Sequence, residues 1–110
     1  YFLNVHEGPI AISKDYKIML KPGHVISNEP GFYKKGKFGI RLENMIYVKK
    51  LQKKTYFKNL TMVPFDKDLI NFKLLNKKEK DYLINYNLEV YSNVEKYLNY
   101  QEKFWLLSQF

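Results

Sequence analysis

Glu29 and Glu43 stand at equal distances from Gly36, and that symmetry constrains the chain more than any other feature. Tyr33-Lys34-Lys35-Gly36-Lys37 between them has the makings of a turn, and each glutamate sits in an otherwise apolar stretch. If those stretches pair as an antiparallel hairpin centred on Gly36, the two glutamates become cross-strand partners. Directly opposed residues hold their Cβ atoms about 4.5–5.5 Å apart, where like charges destabilise each other. Two carboxylates so placed require a cation between them or a shared proton. In any other register both are ordinary surface acids.

A chain of 110 residues allows at most one small domain. Tyr1-Phe2-Leu3 reads as the interior of a strand, so this is expected to be a segment of a longer polypeptide, cleaved or partial. No leader is expected, and these residues hold no apolar run long enough to span a membrane. With no cysteine, disulfides and thiolate metal sites are excluded, which fits a reducing compartment such as the cytoplasm. The net charge of +8 raises a nucleic-acid reading. Against it, the basic residues are eighteen lysines scattered from Lys14 to Lys103 and a single arginine, Arg41. Phosphate clamps favour the planar fork of arginine, whereas lysines in turns and at sheet edges discourage unwanted pairing.

The first part of the chain reads as a curved antiparallel sheet. Strands are expected at 2–5, 24–29, 39–50 and about 55–63. A loop at 10–23 closes on Lys21-Pro22-Gly23, and a Gly-punctuated connection spans 30–38. His24 is expected at the surface. The second part reads as helical, giving an α+β class. Asn76 with Glu79 is an N-cap candidate with its reciprocal partner. From there Leu83, Tyr86, Val90, Val94 and Tyr97 recur at helical spacing and form one apolar face. A short helical turn is expected within 66–75, and a second helix at 99–108 carrying Phe104, Trp105 and Leu106.

Three ordered blocks resemble a known family. Val25-Ile26-Ser27-Asn28-Glu29-Pro30-Gly31-Phe32-Tyr33 followed by Phe38-Gly39-Ile40-Arg41-Leu42-Glu43-Asn44 is similar to the C-terminal catalytic half of Xaa-Pro aminopeptidases, enzymes of the pita-bread fold. Leu3-Asn4-Val5-His6-Glu7-Gly8-Pro9 resembles the family's histidine segment. Val63-Pro64-Phe65-Asp66 and Leu74-Leu75-Asn76-Lys77-Lys78-Glu79 resemble the downstream stretch of its long, eukaryote-type members.

The resemblance implies catalytic strands over 1–65 and a helical extension over 66–110. In long members such helices pack at a homodimer interface, for which Trp105 and Phe104 are the expected anchors. It implies two divalent metal ions, Mn²⁺ first from the oxygen ligands, with Zn²⁺ or Co²⁺ as alternatives. Glu43 would bridge both ions, and Glu29 would bind one and accept the proton of the attacking water. His6 would stabilise the tetrahedral intermediate, and Arg41 with Tyr33 would form a hydrogen-bonded network behind the metals. The family's two aspartate ligands and its histidine ligand have no counterpart here, since Asp15, Asp66, Asp68 and Asp81 lie in other contexts. The segment alone, with two of five ligands, is expected to be inactive. The implied activity is removal of an N-terminal residue from peptides with proline second. A prolidase-type dipeptidase or a non-catalytic pita-bread binding module are the alternatives.

Overall fold

The computed structural model describes residues 8–110, which fall into two compact units, one ending at Thr61 and the other spanning Met62–Phe110. In the first unit, β1 (Val25–Asn28), β4 (Asn44–Leu51) and β5 (Lys54–Asn59) form an antiparallel sheet in the order β1-β4-β5, and β2 (Gly31–Lys34) pairs with β3 (Phe38–Arg41). Every partnered pair in β1–β4 and in β2–β3 is symmetric about position 36, from Val25↔Tyr47 through Asn28↔Asn44 to Lys34↔Phe38. The register that opposes Glu29 to Glu43 is therefore the one adopted.

Two of the expected strand boundaries need correction. The 30–38 stretch is not a connection, because Gly31–Lys34 is a strand and only residues 35–37 turn. Its two glycines suggested a loop, yet of the two only Gly36 has a positive φ, at 71°. That is the third residue of a four-residue turn closed by the Lys37 N–H donating to the Lys34 carbonyl, 2.9 Å, a position that favours glycine. The 39–50 strand is likewise two strands, interrupted at Leu42-Glu43. Opposite Leu42 stands Pro30. The Leu42 N–H donates to the Pro30 carbonyl at 3.0 Å, but proline has no N–H to return the bond, so the ladder breaks there.

Even-numbered residues of this ribbon make its apolar side. Ile26, Asn44, Ile46 and Val48 are buried, while Phe32, Phe38, Ile40 and Leu42 continue the same parity and are exposed among the described residues. The turn at Lys21-Pro22-Gly23 forms as expected, with Gly23 at φ 92°. His24 is half-buried rather than superficial. Its Nδ1 accepts the Lys21 N–H at 3.2 Å and so fastens the turn that leads into β1.

The second unit holds α1 (Lys77–Val94) and α2 (Tyr100–Ser108), preceded by a 3-10 turn at Lys67–Leu69. Asn76 and Asn99 each cap their helix by accepting the backbone N–H of Glu79 and Glu102, and each glutamate accepts the cap residue's own N–H in return. Tyr86, Val90 and Leu106 form the buried cluster, flanked by Phe65, Val94 and Phe110. The Phe65 and Tyr86 rings stack at 5.2 Å, and the Tyr86 hydroxyl donates to the Val63 carbonyl at 2.7 Å. Tyr97 does not join this face. The helix ends at Val94, a 3-10 turn over Glu95–Tyr97 changes the periodicity, and Tyr97 is 77% exposed with Lys96 over its ring.

Of the two reciprocal bonds at the start of α1, the one that accepts the Glu79 N–H depends on the Asn76 side chain. Asn76→Ala is expected to cost about 0.5–2 kcal/mol, read as a lower midpoint in denaturant melting. An unchanged midpoint would show that the cap contributes nothing.

Candidate metal centre

The odd-numbered face of the ribbon carries the charged groups. Arg41 lies at the end of β3, opposite Gly31, and its guanidinium reaches three neighbours. Nη1 donates to Glu29 Oε2 at 2.9 Å, the same nitrogen stands 4.0 Å from Glu43 Oε2, and Nε donates to the Tyr33 hydroxyl oxygen at 3.0 Å. Glu29 receives a second donor, the Ser27 hydroxyl, which gives its hydrogen to Oε1 at 2.8 Å. The two carboxylates thus converge on one nitrogen, and the cation that their opposition demands is Arg41.

Tyr33 can reach Arg41 because two of its neighbours have no side chain. Its ring and hydroxyl lie over Gly31 and Gly39. A Cβ on Gly31 would come within 2.5 Å of the hydroxyl oxygen, and one on Gly39 within 2.6 Å of a ring carbon. Gly39 is the cross-strand partner of Tyr33 and Gly31 that of Arg41, so the ring crosses the ribbon diagonally. These glycines serve close approach rather than chain reversal.

The hydrogen bond to the Tyr33 hydroxyl first, and then the nearby Glu29 carboxylate, push the Arg41 guanidinium above its ordinary value. It is a permanent cation at any working pH. Glu29 is the more enclosed carboxylate, 31% exposed with two donors on it, against 49% for Glu43, whose nearest charged partner among the described residues is Arg41 at 4.0 Å. Carboxylate oxygens suit hard divalent ions. The donor set fits such a metal in kind, though not in number. Among the described residues no three His, Cys, Asp or Glu side chains group closely enough to hold an ion.

Of the residues named from the sequence, Glu29, Tyr33, Arg41 and Glu43 are brought together, and His6 lies outside the described residues. Ser27, Gly31 and Gly39 were not singled out. The signal for them was parity: in a strand, residues two apart share a face, and Ser27, Gly31 and Gly39 share theirs with Glu29, Tyr33 and Arg41. No helix among the described residues is long and apolar enough to cross a membrane.

Both parts of the chain match models of metal-dependent peptidases. Residues 53–109 match the model of the C-terminal region of peptidase_M24 and residues 2–50 that of metallopeptidase family M24. The chain belongs to this family. It is 44% identical to the probable Xaa-Pro aminopeptidase P of Botryotinia fuckeliana, over 92% of this chain and 17% of that protein. It is 42% identical to a putative Xaa-Pro aminopeptidase of Saccharomyces cerevisiae, over 91% of this chain and 14% of the yeast protein. The crystal structure of the X-prolyl aminopeptidase from Caenorhabditis elegans, named as a cytosolic enzyme with a di-nuclear active site, superposes with a TM-score of 0.80 at 35% identity, covering 97% of this chain and 19% of that one. At that identity the likeness carries the α+β pita-bread architecture. The chain spans less than a fifth of the length of these relatives.

The glycine cradle makes a quantitative prediction. Gly39→Ala forces a methyl group into the Tyr33 ring and is expected to cost about 1–3 kcal/mol. Combining it with Tyr33→Ala should recover most of that loss, because the clash partner is gone. Denaturant melts of both single variants and the double measure the coupling. Strictly additive losses would mean that the ring does not rest on Gly39.

Proposed function

We propose that this chain supplies two of the metal ligands of a dinuclear metallo-aminopeptidase that releases the N-terminal residue from peptides with proline in second position. The observation that carries the reading is the convergence of Glu29 and Glu43 on Arg41, in a chain 42–44% identical to proteins named Xaa-Pro aminopeptidases. Two further ligand positions and a histidine come from elsewhere in the polypeptide. Mn²⁺ is the first choice of ion for carboxylate oxygens, ahead of Zn²⁺ and Co²⁺.

When bound, the ions polarise the peptide carbonyl and lower the pKa of water. The residues of this chain do the rest. Glu29 and Glu43 hold the ions. Glu29 accepts the proton lost by the attacking water, and that proton then passes to the proline nitrogen as the peptide bond breaks. Arg41 keeps both carboxylates aimed, and the Tyr33 hydroxyl keeps the guanidinium in place. His6 donates a hydrogen bond to the carbonyl oxygen as it becomes an anion.

The exposed aromatics of the helical unit support a homodimer. Phe104 is 70% and Trp105 61% exposed, and large exposed aromatics anchor interface cores. A cytoplasmic location is in line with the nematode neighbour's name as a cytosolic enzyme.

Metal analysis of the full polypeptide, joined to cleavage of a Xaa-Pro peptide and its Xaa-Ala counterpart, tests the reading. About two divalent ions per chain and cleavage ahead of proline alone support it. Absence of both metal and cleavage would leave a non-catalytic module. Glu43→Gln should abolish activity and lower metal content, and a fully metallated active variant contradicts its ligand role. His6→Ala should lower turnover about 10²–10³-fold with metal content intact. Loss of metal instead would place His6 among the ligands.

A further inference from the structure

We infer that Ser27 is a positioning residue for Glu29, fixing the plane of its carboxylate so that a lone pair on each oxygen stays available to a divalent cation. The inference rests on the metallopeptidase reading above. The last torsion of a glutamate joins an sp³ to an sp² carbon and is broad, so the side chain cannot set its own carboxylate plane. Here two donors from different strands do so. Ser27, on β1, holds Oε1 at 2.8 Å, and Arg41, on β3, holds Oε2 at 2.9 Å. A carboxylate offers about four lone-pair sites, and these donors occupy one on each oxygen. One site per oxygen is left, already oriented.

The backbone makes Ser27 a dependable donor. Its own strand is paired, with Met45 as cross-strand partner, and the hydroxyl sits two residues before Glu29 on the same face. The Ser27–Glu29 bond is partly buried, and a bond to an ionised acceptor is among the stronger kinds. Glu43 has no such arrangement. It is 49% exposed, and among the described residues its ion pair is the 4.0 Å approach to Arg41. The pair is thus asymmetric: one carboxylate is set before the ion arrives and the other adjusts to it.

Ser27→Thr keeps the hydroxyl, whereas Ser27→Val has nearly the same shape and lacks it, so the two separate hydrogen bonding from packing. In the full polypeptide, Mn²⁺ binding is followed by equilibrium dialysis, with thermal melting to match the fold of the variants. Ser27→Val should weaken one of two Mn²⁺ positions about 10- to 100-fold, and Ser27→Thr should stay within about threefold of the parent. Equal Mn²⁺ affinity in the Val and Thr variants overturns the inference. If Val at 27 prevents folding, Ser27→Ala takes its place with the same expected outcome. A parent protein that binds no Mn²⁺, Zn²⁺ or Co²⁺ removes the metallopeptidase reading itself, and the Ser27 role falls with it.

Discussion

A single guanidinium lets two carboxylates share one face of a narrow β-ribbon. Glu29 and Glu43 are held opposite each other by a register symmetric about Gly36, in which like charges repel. Arg41 offsets that repulsion by placing Nη1 within 4.0 Å of both. The same side chain recruits Tyr33 through Nε. Its planar fork is suited to this, since it presents several donors in fixed directions where lysine offers one point charge. That the only arginine of the chain occupies this position follows from geometry rather than from charge.

The ribbon divides its chemistry by parity. Odd positions carry Ser27, Glu29, Tyr33, Arg41 and Glu43, with Gly31 and Gly39 leaving room for the tyrosine ring. Even positions carry Ile26, Phe32, Phe38, Ile40, Ile46 and Val48, covered at one end and open at the other. A sheet with one apolar face and one polar face is the common antiparallel pattern. Here the polar face is also where negative charge is concentrated and pre-oriented. Pro30 breaks the ladder between the two glutamates without breaking the register, because the Leu42 N–H still reaches the Pro30 carbonyl.

The helical unit is organised by local chemistry at its ends and by aromatic packing within. Two asparagine caps with glutamates three residues on begin the helices, and the 3-10 turn at Glu95–Tyr97 separates them. The turn moves Tyr97 off the stripe formed by Tyr86 and Val90. Lys67 Nζ donates to the Ser108 carbonyl, tying the 3-10 turn near the start of this unit to the end of α2.

Much of this was written into the amino-acid order. The turn centre, the opposition of Glu29 and Glu43, the Asn76–Glu79 cap and the α1 apolar face are local or periodic features, and spacing alone expresses them. Strand composition was less legible, because Gly31 and Gly39 carry the same letter as Gly36 while only Gly36 reverses the chain. Folding decided what the glycines were for, which cation separates the carboxylates, and that Ser27 holds one of them. Those are contacts between side chains on paired strands, fixed by distances of about 3 Å that no one-dimensional pattern contains.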